Sequence, residues 1–185
     1  MVDIRNLVFN RNSMLIISYL SKNRDREKVS SHIAKDLNIS VGSVHTILKQ
    51  LESVQIVSSR KVGKSVIYEV EKHNPMIKSF RVFENLLELK GLISLLKEYS
   101  RKIILFGSCS DGEDTFESDI DLFIVADEEQ KDIIFELISN YKLDREINPV
   151  IIDMIEFMEL ENEEPVFYRE IMKGIEVWEG SDEVD

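Results

Sequence analysis

The stretch from Lys102 to Val125 constrains this chain more than any other. Lys102-Ile103-Ile104-Leu105-Phe106 is the unbroken apolar run of a buried β-strand, and it leads straight into Gly107-Ser108 and the small, acidic segment CSDGEDTFES. A second strand then begins as Asp119-Ile120-Asp121-Leu122-Phe123-Ile124-Val125. Side chains alternate along a strand, so Asp119 and Asp121 share one face while Ile120 and Leu122 share the other. Two ionised carboxylates held together repel unless a cation lies between them, and hard oxygen ligands of this kind suit Mg²⁺ or Mn²⁺. Gly107 leaves backbone N–H groups open to phosphate oxygens, and Ser108 adds a hydroxyl donor. The pattern predicts a cradle for the triphosphate of an NTP, with a metal bridging the phosphates to Asp119 and Asp121 and an acceptor hydroxyl attacking the α-phosphorus.

The N-terminal third carries a different pattern. Leu15, Ile16, Tyr19 and Leu20 share one helical face from Arg11 onward, the charged segment NRDREK reads as a loop, and Ile33, Ala34 and Leu37 mark a short second helix. Asn38-Ile39 forms the exit turn, and Ser40 is placed to cap a third helix with Val44, Leu48 and Leu51 turned inward. Its other side chains, Ser43, His45, Thr46, Lys49 and Gln50, are polar groups that can meet base edges and phosphates from a major groove. Two β-rich runs, residues 55–61 and 64–70, joined around Val62-Gly63, read as a hairpin with Arg60, Lys61 and Lys64 near its tip. Three helices and a hairpin resemble the winged helix-turn-helix of prokaryotic transcription regulators over about residues 11–73. The resemblance implies DNA as partner, with the wing on phosphate; a helical protein-interaction module is the other reading of this segment.

Charge separates the two regions. The net charge is −12, yet residues 1–73 hold 12 Lys+Arg against 7 Asp+Glu, a net of +5, while residues 74–185 hold 11 against 28, a net of −17. A polyanion is therefore expected at the basic head rather than the acidic body. The single cysteine, Cys109, and the three scattered histidines, His32, His45 and His73, exclude a disulfide framework and argue against a Cys/His zinc site. No secretory leader and no run approaching the roughly 20 apolar residues of a membrane span are visible, so a cytoplasmic protein with no membrane partner is expected.

Between the regions, His73-Asn74-Pro75 stops the last strand, and residues 77–100 keep helical periodicity with an interruption at Gly91, which predicts two consecutive helices. Their apolar positions, among them Phe83, Leu87 and Leu95, require a packing partner: a second copy in a homodimer, or the core of the C-terminal domain. The expected organisation is a DNA-binding domain over 1–73, a helical connector over 74–99 and a catalytic-type domain over 100–185.

Gly107-Ser108, Gly112-Glu113 and Ser118-Asp119-Ile120-Asp121-Leu122 together resemble the GSxxxGE…SDIDL signature of the DNA polymerase β-like nucleotidyltransferase superfamily, in its minimal prokaryotic branch, and with the flanking strands the resemblance covers about residues 100–178. It implies an α/β (α+β) fold, a mixed β-sheet with helices on one side, two metal-binding aspartates on the second strand and a further carboxylate on a third. It also implies transfer of an NMP from a Mg²⁺-bound NTP to a hydroxyl, with Ser118 beside the nucleotide, and in some members pairing with a cognate toxin or another protein acceptor. After a helix in EEQKDIIFELISNYKL, the third strand is expected over Arg145–Ile152, where the usual acid is replaced by Asn148. Glu146 shares the face of Asn148 and is the candidate substitute; Asp153, an odd number of residues away, points to the opposite face. This departure keeps open a transcription regulator whose degenerate domain binds nucleotide without turnover. Arg145 reads either as a triphosphate contact or as a surface partner of Asp144 and Glu146, and Cys109, with no histidine in residues 74–185 to activate it, as a space-filling residue. The tail is expected to form two amphipathic helices split near Pro165, a short strand before Gly180, and a solvated acidic end SDEVD.

Overall fold

The computed structural model describes residues 3–23, 28–71 and 74–180, and the chain divides into two compact units, residues 1–81 and 82–185. Most of the expected NRDREK loop, His73 and the SDEVD end lie outside the described residues.

The first unit comprises α1 (Ile4–Val8), α2 (Arg11–Lys22), α3 (Ser30–Asp36), α4 (Val41–Ser53) and an antiparallel hairpin of β1 (Val57–Val62) and β2 (Ser65–Val70). This is the winged helix-turn-helix arrangement, preceded by a short helix that sequence periodicity does not reveal. Asp3 caps α1 by accepting from the backbone N–H groups of Arg5 and Asn6. Ser40 caps α4 as expected, accepting from Ser43 N at 3.2 Å. Ile16, Leu20, Ile33, Leu48, Leu51 and Tyr68 are buried in one core, each supplying on the order of 1.5–3 kcal/mol of transfer free energy. Leu15, expected in that core, is only half-buried, and Ile17 takes its place. Val62 pairs with Ser65, so the wing turns on Gly63-Lys64 alone, with Gly63 at φ 59° in the left-handed region that a tight hairpin turn requires.

The connector is one helix, α5 (Pro75–Leu96), where two were expected. Pro75 opens it at the first helical position, and Asn74 accepts from Met76 N at 2.9 Å. Gly91 does not break it: a side chain there would run into the Tyr141 hydroxyl, so the glycine answers to close packing rather than to a turn. Ile77 and Phe80 belong to the core of the first unit, and Leu89, Leu92 and Leu96 to that of the second. Phe83, Leu87 and Leu95 remain exposed. Among the described residues, no helix is long and apolar enough to cross a membrane.

The second unit is built on a four-stranded mixed sheet of order β5-β4-β3-β6, with β3 (Lys102–Phe106), β4 (Ile120–Val125), β5 (Ile147–Ile152) and β6 (Ile175–Glu179). β3 runs antiparallel to both β4 and β6, and β4 runs parallel to β5. Alternation along β3 and β4 sends Ile103, Leu105, Ile120, Leu122 and Ile124 into a core with α5 and α7 (Lys131–Asn140), and sends Ile104, Phe106, Phe123 and Val125 into another with α8 (Met154–Glu163) and α9 (Pro165–Ile171). Helices thus cover both faces, not one as expected. The reason lies in the tail: Phe157, Leu160, Phe167 and Ile171 form an apolar face that closes over Phe123 and Phe106, with Phe123 and Phe157 ring centroids 5.7 Å apart. The break at Pro165 and the strand before Gly180 stand where the sequence puts them.

Candidate functional site

The site forms where the C-terminal end of β3 meets the N-terminal ends of β4 and β5. Phe106 pairs with Asp121, and the next residue, Gly107, adopts φ 67°, ψ −156°, a conformation essentially reserved for glycine. A Cβ at Gly107 would lie 2.5 Å from Asp121 Oδ2. The bare Cα is therefore required twice, by the backbone and by the carboxylate beside it. One helical turn, α6 (Ser108–Asp111), follows and is closed by Gly112 in the left-handed region at φ 66°. The N–H groups of Glu113 and Asp114 both donate to Ser108 O, at 3.0 and 3.2 Å, folding the acidic loop back on the Gly-Ser turn.

Ser118 closes the loop that delivers the first aspartate. Its Oγ accepts from Thr115 N at 2.9 Å and lies 3.1 Å from Thr115 Oγ1. Asp119 stands immediately before β4 and Asp121 is the second residue of that strand. In the parallel β4–β5 register Asn148 lies opposite Asp121, and its Nδ2 donates to Asp119 Oδ2 at 3.2 Å. Partial burial raises the Asp121 carboxyl above the ordinary carboxylate range; a hydrogen bond from Asn148 pulls it down, and the like charge of Asp119 pushes it further up. Asp119, Asp121 and Asn148 are thus brought together.

Glu146 does not complete the set. It is exposed, one residue before β5, where its carbonyl accepts from Ile120 N at 2.9 Å. Among the described residues, no three His, Cys, Asp or Glu side chains gather around a common metal position. Asp153 is engaged elsewhere, capping α8 in a reciprocal box with Glu156.

Arg145 is a correction to the surface reading. Its side chain is only 5% exposed, and its guanidinium donates to Asp114 Oδ2 at 3.0 Å, Asn85 Oδ1 at 3.1 Å, Glu88 Oε2 at 2.5 Å and Cys109 Sγ at 3.5 Å. Burial works against its charge, but the bond to Glu88 and the fields of Cys109, Glu88 and Asp114 keep it above its ordinary basicity. Asn85, fully buried, also donates to Cys109 O at 2.9 Å, so α5 grips the turn that follows Gly107 directly through Asn85 and indirectly through Arg145, which Asn85 and Glu88 hold. One sequence signal pointed this way: Asn85 falls on the same helical stripe as Leu89, Leu92 and Leu96, and a polar residue on a buried stripe needs a partner. Cys109 is buried and space-filling as expected, its Sγ 3.4 Å from Asp119 O.

In the first unit, all five side chains expected to face DNA lie on α4 away from its buried stripe, with Ser43, Thr46 and Gln50 along one edge and His45 and Lys49 along the other. Lys49 is paired with Glu52 at 2.8 Å and Arg60 with Glu69 at 3.3 Å; Lys61 and Lys64 are exposed at the wing tip.

Residues 90–183, just over half of the chain, match the family described as polymerase beta, nucleotidyltransferase. The chain belongs to this family. The Gly107 turn and the Asp119/Asp121 pair fall inside the matched segment, and the winged helix lies outside it. No curated protein matches the sequence. Among solved structures, the chain is similar to a point mutant of Lactococcus lactis ZitR at 16% identity and a TM-score of 0.40, over 54% of this chain and 66% of that one, just under two thirds of its length. A Thermoplasma volcanium GSS1 protein described as a possible HxlR family transcriptional factor is similar at 24% identity and a TM-score of 0.37, over 52% of this chain and 84% of that one.

Proposed function

We propose that this member of the nucleotidyltransferase family binds DNA through its winged helix and, in its second unit, transfers an NMP from a Mg²⁺-bound NTP to a hydroxyl of a protein, nucleic acid or small molecule. The observation that carries the second half is the convergence of Asp119 and Asp121 beneath a glycine that cannot bear a Cβ. Two carboxylates close enough for one to shift the other, with an amide beside them, are a hard-oxygen donor set that fits Mg²⁺. Asp119 and Asp121 would hold the ion, which supplies charge neutralisation to the triphosphate. Gly107 lets the backbone of the turn approach the phosphates, and the Arg145–Asn85 grip on Cys109 keeps that backbone in place.

Asn148 favours a second reading, a DNA-binding regulator that holds nucleotide without turnover. Its amide brings no negative charge and already donates to Asp119, so nothing on β5 takes a proton from the acceptor hydroxyl. Incubation with NTPs labelled at the α-phosphate, Mg²⁺ and candidate acceptors separates the two. Transfer by the wild type that disappears in Asp119→Asn/Asp121→Asn is the expected result. Transfer seen only after Asn148→Asp would establish the regulator reading, and none from either would sink the enzyme altogether.

The DNA half rests on the basic first unit, the polar face of α4 and the wing-tip lysines. Lys61→Ala/Lys64→Ala is expected to weaken binding to a duplex alike across sequences and to flatten its salt dependence by about two phosphate contacts. No binding by the wild type at low salt would defeat this assignment.

A further inference from the structure

We propose that the first unit seats a phosphodiester of the DNA backbone between the N-termini of α2 and α4, on a cleft floored by Ser13. The inference rests on the DNA-binding reading and adds residues that neither the α4 pattern nor the wing supplies. The cleft, about 720 Å³, is lined by Asn12 and Ser13 from the first turn of α2 and by Gly42, Ser43, Thr46 and Gln50 from α4.

Three observations point to a phosphate oxygen there. The first is the pairing of two helix N-termini, from helices of 12 and 13 residues, whose first-turn N–H groups lack intrahelical partners and carry the positive end of the dipole. Asn10 takes the N–H of Asn12 and Ser40 that of Ser43, so the capping side chains leave the N–H groups of Ser13 and Gly42 to other acceptors. The second is Ser13, a residue of the cleft lining that is 1% exposed and whose buried hydroxyl has no hydrogen-bond partner among the described residues. A buried hydroxyl left unpaired is unfavourable, and an acceptor entering the cleft removes that penalty. The third is Gly42. It sits in the first turn of a regular helix, where glycine is less favourable than alanine, and a Cβ there would meet nothing within 4 Å. Folding gives no reason for the glycine, whereas a backbone drawn up against α4 does.

The lining also selects the ligand. Among the described residues it contains no lysine or arginine, and Asp3 contributes a carboxylate, although that group is occupied with Arg5 N, Asn6 N and Asn6 Nδ2. Neutral donors beside a carboxylate do not concentrate a free dianion from solution. They suit the monoanionic phosphodiester of a duplex already held by the wing and by the polar face of α4.

The test uses the full chain and a random-sequence DNA duplex, with anisotropy read over a salt series and thermal unfolding in parallel. Ser13→Ala and Gly42→Ala should each hold or raise the melting temperature while weakening the duplex about tenfold. The salt slope should stay unchanged, because no cation is lost, in contrast to Lys61→Ala/Lys64→Ala. Full affinity in both variants while the wing variant weakens would overturn this inference and leave the DNA-binding reading standing. A wild type that binds no duplex would end both. Displacement of the duplex by inorganic phosphate at matched ionic strength would assign the cleft to a free anion and overturn the phosphodiester proposal.

Discussion

Arg145→Met is expected to lower the folding free energy of the second unit by about 3–5 kcal/mol, the range for a buried ion pair that loses one partner. Methionine fills much of the volume and adds no strain, so the loss is electrostatic. Asp114 has no exposed surface and Glu88 is 28% exposed at its side chain; in the variant both lose the guanidinium that answers them, Asp114 in a site withdrawn from water. Arg145→Lys should recover only part of this, because an ammonium cannot reproduce a planar fork that reaches Asp114, Asn85, Glu88 and Cys109 together. Urea unfolding at neutral pH followed by circular dichroism measures the difference. A loss below about 1 kcal/mol, the level of an exposed pair, would show that solvent reaches the network and that the grip of α5 on the Gly107 turn is loose.

The same network shows where sequence stops being legible. Apolar periodicity and capping chemistry act over a few residues, so β3, β4, α4 with its Ser40 cap, the wing and the break at Pro165 can be read directly. Arg145 finds its partners 31, 57 and 60 residues away, and no local pattern carries that distance. Gly91 misleads for the same reason: locally it reads as a helix break, and only the arrival of Tyr141 explains it. The second helical layer was present in the tail as Phe157, Leu160, Phe167 and Ile171, but which sheet face they cover depends on strand order rather than on spacing. At the site, alternation correctly pairs Asp119 with Asp121, since period two is rigid. Glu146 shares that period with Asn148 and, like Asp119, stands one residue before its strand, yet among the described residues no third acidic side chain gathers with the aspartate pair.

Gly107→Ala is expected to abolish Mg²⁺-dependent nucleotide binding, a loss of at least about tenfold by calorimetry, while leaving the rest of the fold in place. Two penalties combine. An alanine at φ 67°, ψ −156° carries about 1–3 kcal/mol of backbone strain. Its Cβ would also stand 2.5 Å from Asp121 Oδ2, well inside contact distance. The backbone has little freedom to give way, since Phe106 is held against Asp121 by the antiparallel ladder and Asp121 against Asn148 by the parallel one. The carboxylate of Asp121 is therefore the part that moves. Gly63→Ala in the wing separates strain from site: it too forces an alanine to positive φ, 59°, but into open space, so it should cost stability of similar order and leave nucleotide binding intact. Equal nucleotide affinity in both variants would mean that the Asp119/Asp121 pair is not what receives the nucleotide.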